Sequence, residues 1–166
     1  MKQCYLLLTT ALLLAGCSLF KQSASDTFKP QMVTIPGGTF TMGDIYEGEK
    51  NTDATPTHEV RLPNFRIGKY EVTYRQYDHF AKQTGRTLPS SDSLGRGNRA
   101  VVNVNWINAQ AFCEYYGWRL PTEQEWEYAA RSGGQKMQFA GTNNADSLDR
   151  YARTTNNSAP FSYKVG

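Results

Sequence analysis

Residues 119–134 read Arg119-Leu120-Pro121-Thr122-Glu123-Gln124-Glu125-Trp126-Glu127-Tyr128-Ala129-Ala130-Arg131-Ser132-Gly133-Gly134. Three carboxylates on alternating positions suggest an acid/base cluster, but such work needs both groups to reach one reacting atom. Helix-terminus chemistry accounts for the same residues more fully. Thr122 and Glu125 make a T-x-x-E capping box just after Pro121, and Trp126, Ala129 and Ala130 fall at i, i+3 and i+4 as an apolar stripe. On such a helix Glu123, Glu125 and Glu127 splay around the first turn, where each carboxylate favours the positive end of the helix dipole by about 0.3–1 kcal/mol. The stretch predicts a helix start capped by Thr122 and assigns no catalytic residue to the chain.

Two more short helices have legible ends. Thr73 and Gln76 form a T-x-x-Q capping box, Tyr77, Phe80 and Ala81 make an apolar stripe, and Gly85 is the stop. Asn105 caps the next helix, on which Trp106, Ala109, Cys113 and Tyr116 fall near helical spacing before Gly117. Upstream, Met32–Ile35 is strand-like, Pro36-Gly37-Gly38 is a turn and Thr39–Met42 resumes alternation, which predicts a hairpin. Glu59–Leu62 and Phe65–Ile67 then read as a second pair of strands. Between them Asp44–His58 is acidic and aperiodic. Asp44, Glu47, Glu49 and Asp53 lack the alternating oxygens and central glycine of a calcium loop, so a solvated loop is expected. His58 reads as exposed and His79 as lying opposite or beside the first helix's stripe, so neither offers a metal constellation.

With 166 residues, 39% apolar and 13% aromatic, the chain can build one core. Its net charge is +3 and no run of five basic residues occurs. No nucleic-acid partner is expected, because phosphate demands a basic stripe.

The N-terminus has the form of an export leader. Lys2 supplies the positive charge, and Tyr5–Leu14 is an almost unbroken apolar run, too short for a bilayer core that needs roughly 20 residues. It closes in Leu14-Ala15-Gly16-Cys17, which resembles the lipobox of bacterial lipoproteins. The expected division is a signal peptide over residues 1–16, a lipidated tether over 17–30, and a domain over 31–166. Acylated Cys17 would hold the mature protein on membrane lipid, since each buried methylene contributes about 0.8 kcal/mol and two or three chains suffice. Of the three cysteines, Cys4 leaves with the leader and Cys17 is acylated, so Cys113 is left without an intramolecular disulfide partner. A small buried hydrophobe on a helix is the expected role for Cys113.

Four linked motifs carry a family resemblance. Met32-Val33-x-Ile35-Pro36-Gly37-Gly38-x-Phe40-x-Met42-Gly43 is followed by Tyr70-Glu71-Val72-Thr73-x-x-Gln76-Tyr77. Then come Val104-Asn105-Trp106-x-x-Ala109-x-Ala111-Phe112-Cys113 and the stretch quoted first. Together they resemble the formylglycine-generating enzyme, or sulfatase-modifying factor, family. The resemblance implies an α+β domain of the C-type lectin-like kind, with short strands, about three short helices and much irregular chain. It also implies that some members bind copper on two cysteines of the C-terminal half and use oxygen to turn a substrate cysteine into formylglycine. Tyr163-Lys164-Val165-Gly166 resembles the point just before the family's P-N-x-x-G-L-x-D-M and G-N-V-x-E-W segments, so this chain is expected to represent the N-terminal portion of the domain. Cys113 matches a position that in some members pairs with a late cysteine. Ala100 stands where the family usually has proline, and Arg153 replaces an asparagine that contributes to a calcium site in some members. No cofactor is expected for the chain as it stands; copper or calcium would come with the C-terminal part.

Two functions remain open at this point. One is an envelope-anchored binding or assembly module, with a protein or glycan partner, on the outer membrane in preference to the inner. The other is a copper-dependent oxidase of sulfatase maturation.

Overall fold

The computed structural model describes residues 27–45, 53–93, 95–154, 157 and 164–165. The leader, Cys4, Cys17, the tether up to Asp26, and Glu47 and Glu49 lie outside the described residues. The elements run β1 (Met32–Ile35), β2 (Gly38–Met42), β3 (His58–Leu62), β4 (Phe65–Gly68), α1 (Tyr74–Gln83), α2 (Trp106–Tyr115), α3 (Glu123–Ala130) and a 3-10 helix at Ala145–Arg150. This is an α+β architecture of short strands, three short α-helices and irregular chain among the described residues, as expected. The 3-10 helix was not anticipated, because six residues capped by Asn144 leave too little sequence for a period to show.

The strands form where expected but pair differently. β1 does not fold back on β2, nor β3 on β4. β1 pairs antiparallel with β4 and β2 with β3. Met32 faces Gly68, Gly38 faces Leu62 and Met42 faces His58, so partner numbers add to 100 in both segments. The two sheets are therefore one continuous ribbon in a single register, whose last pair is Met42 and His58. Pro36 and Pro63 explain the interruption, since each removes a ladder donor at the midpoint. There the Asn64 side chain takes over, its Oδ1 accepting from the Gly37 N–H at 2.8 Å. The strands cross so closely that a Cβ at Gly37 would stand 2.3 Å from the Leu62 carbonyl oxygen. Pro36-Gly37-Gly38 resembles a turn because a ribbon break and a tight turn use the same residue types.

All three helix starts follow the sequence. Thr73 and Gln76, and Thr122 and Glu125, form reciprocal capping boxes, and Asn105 accepts from the Asn108 N–H. Gly85 and Gly117 follow α1 and α2 with positive φ, as helix stops require.

Packing separates the apolar residues into two clusters. Phe40, Met42, Phe65 and Tyr128 join the ribbon to α3; Tyr77, Phe80, Ala81 and Phe112 join α1 to α2. The stripe of α1 is as expected, with fully buried Tyr74 added to it. Those of α2 and α3 need correction. Trp106 and Trp126 are 68% and 62% exposed, and the inward positions are Phe112 on α2 and Glu125 and Tyr128 on α3. Tryptophan counts as apolar in a periodicity, yet on a helix one or two turns long a shift of one position changes the buried face.

Candidate functional site

The first turn of α3 shows where the three carboxylates go. Glu125 is buried and accepts from both terminal nitrogens of Arg119 at 2.7 Å each and from the Thr122 N–H at 2.9 Å. The Arg119 guanidinium, against the opposing effect of burial, holds the Glu125 carboxyl well below the usual carboxylate range, at about 2. Glu127 accepts from the Gly43 N–H at 3.0 Å and pairs with Arg131 at 2.9 Å. Arg131 also donates to the carbonyls of Thr41 and Gly43, so α3 clamps the end of β2. Glu123 is exposed. Three carboxylates thus have three destinations and share no reacting point.

What the ribbon and helices do form between them is a groove of about 330 Å³. α3 packs on β2 and β3. The other half of the ribbon, β1 and β4, contributes Met32, Arg66, Ile67 and Gly68 to one wall. Phe112 and Cys113 of α2 line the groove beside Val72, and Trp118–Pro121 close the far side. Tyr70, 43% exposed, stands at the rim.

The segment just before β1 shapes one end. Phe28 stacks on His79 with ring centroids 4.2 Å apart, and its carbonyl accepts from the Tyr116 hydroxyl at 3.3 Å. Lys29 lies 5.1 Å from the centre of the Trp118 ring, and Pro30 then lines the groove. The tether assigned to residues 17–30 is therefore docked from Phe28 onward. His79 sits beside the α1 stripe as expected, and His58 is exposed at the start of β3.

Cys113 is free, half-buried and packed against the α1–α2 cluster. Burial, with the neighbouring Glu114 charge adding to it, pushes its thiol up. Among the described residues it is the one cysteine, and no group of three His, Cys, Asp or Glu surrounds it. Those residues by themselves do not fit a two-sulfur copper site. The groove was not visible in the sequence, because its walls come from four separate stretches. Arg119 was the nearest available signal, an arginine set just ahead of a capping box.

The model described as "Sulfatase-modifying factor enzyme 1-like domain" matches residues 18–164. The chain belongs to the sulfatase-modifying factor family. The formylglycine-generating enzyme of Streptomyces coelicolor is 33% identical to it, over 65% of this chain and 49% of that one. The chaperone protein LppX of Paenibacillus barcinonensis is 30% identical, over 82% of this chain and 59% of its own length. Among solved structures, PvdO of Pseudomonas aeruginosa is similar with a TM-score of 0.58 and 26% identity, covering 69% of this chain and 52% of that one. The chain spans about half the length of the formylglycine-generating enzyme it matches.

Proposed function

We propose that this sulfatase-modifying-factor domain is a binding and assembly module of the bacterial cell envelope, anchored through Cys17, with the groove as its binding surface. The observation that carries the reading is the groove itself. It offers an apolar floor with an aromatic and cationic rim, while the nearby carboxylate Glu125 is fully occupied by Arg119 and Thr122. A relative named a chaperone protein supports a role in handling another polypeptide. The lipobox-like Leu14–Cys17 supports the anchor.

Two measurements test it. Metabolic labelling with a palmitate analogue should tag the full chain and not its Cys17→Ser variant; a labelled, membrane-bound variant would remove the anchor. A photo-cross-linking amino acid at Tyr70 should give a discrete envelope adduct that the same group at Lys82 of α1 does not. Equal adducts from both positions would remove the binding surface.

The names of the formylglycine-generating relatives favour a second reading, a copper-dependent oxidase of a substrate cysteine. Cu(I) competition titration beside an oxygen-dependent assay on a cysteine peptide separates the two. Stoichiometric copper retained together with peptide oxidation would establish the oxidase and displace the module.

A further inference from the structure

We propose that the groove docks an extended acidic segment of a partner protein, seating a bulky apolar side chain between β4 and α2 with flanking carboxylates on Arg66 and the cations beside it. The inference rests on the binding-module reading and adds the chemistry of the partner.

Charge is the first argument. The groove is lined by two arginines and by no aspartate or glutamate. Of the two, Arg119 is already paired with Glu125, just as Arg96 pairs with Asp78 and Arg131 with Glu127 elsewhere. The Arg66 side chain is exposed and has no hydrogen-bond or ion-pair partner among the described residues. Both aromatic rims carry a further cation, with Lys69 5.0 Å from the Tyr70 ring centre and Lys29 5.1 Å from that of Trp118. The opening is thus cationic on more than one side, and opposite charge steers and orients a partner there.

Shape is the second. A volume of about 330 Å³ lies near the lower end of the roughly 300–1,000 Å³ typical of small-molecule pockets, which leaves room for one or two large side chains. Arg66, Ile67 and Gly68 are consecutive on β4, so one wall is a strand beside which an extended segment can lie. An apolar floor within an aromatic and arginine rim is the composition that anchors partner side chains in protein interfaces. An acyl chain would use the floor and leave most of the cations without a role.

The test uses the full chain purified in detergent and fluorescence anisotropy of three labelled hexapeptides. These are Asp-Asp-Leu-Phe-Asp-Asp, its Lys-Lys-Leu-Phe-Lys-Lys counterpart and Asp-Asp-Ser-Ser-Asp-Asp. The first should bind at least about tenfold more tightly than either control, and more weakly as salt screens the exposed charges. Arg66→Glu should weaken it about tenfold, since the change reverses the charge facing the carboxylates. Tyr70→Ala, at an exposed rim position that leaves the fold intact, should weaken it as well. Equal binding of the serine or lysine peptide, or an unchanged Arg66→Glu variant with native circular dichroism, overturns the proposal. Saturable octanoate binding in calorimetry, with no peptide binding, would assign the groove to acyl chains and also overturn it. If the peptides fail while the Tyr70 cross-link persists, the acidic chemistry is wrong and the module stands; if both fail, the module reading falls too.

Discussion

Glu125 shows how much one side chain can be asked to do. It caps α3, satisfies Arg119, and occupies a buried position that periodicity reserves for an apolar residue. Its carboxyl is lowered to about 2 from an ordinary 4.5, so its stabilisation is complete above pH 4.5 and lost as pH falls toward 2. Glu125→Gln should cost on the order of 2 kcal/mol at pH 7, and most of that difference should vanish near pH 2, as thermal melts across this range would show. Cys113 behaves oppositely. Its thiol is raised above an ordinary 9.0 by burial, so little thiolate exists at neutral pH. Alkylation should be much slower than for free cysteine at pH 7 and should accelerate only above pH 9. Rapid alkylation at pH 7 would mean that the groove wall is open to solvent. Residue chemistry of this kind was half legible: the Thr122–Glu125 box is written in sequence, while the Arg119 pair needed the turn that brings six residues back on themselves.

At the scale of elements, the ribbon carries the main lesson. Each strand was legible from its alternation, but a hairpin was expected where one long ribbon is interrupted. Proline and glycine at positions 36 and 37 serve both geometries, and only the partner strand distinguishes them. Asn64 bridges the break, so Asn64→Ala should cost about 1 kcal/mol in denaturant titrations, the net worth of one hydrogen bond. Gly37→Ala should cost more, about 1–3 kcal/mol, because its methyl would meet backbone that cannot move aside. The reverse order would show that the strands separate easily at the break. The starts of the three α-helices were legible, since capping is a contact between residues three apart. Helix faces were not, as exposed Trp106 and Trp126 show.

For the whole molecule, two apolar clusters meet along the groove. Phe112 is 3% exposed, belongs to the α1–α2 cluster and also lines the groove, so Phe112→Ala should cost about 3–5 kcal/mol. Trp126→Ala should change stability by about 0.5 kcal/mol or less, despite removing the larger side chain, because the ring faces outward. Comparable losses for both would restore the stripe expected from periodicity. The sequence alone determined the family, through four motifs in order, and the helix starts, through caps that act within one turn. Strand existence was also local, because alternation repeats every two residues. Tertiary structure decided strand pairing, the buried helix faces, the destination of each carboxylate and the groove. Those features join residues tens of positions apart, and their energies depend on which distant surface each side chain meets rather than on its neighbours in the chain.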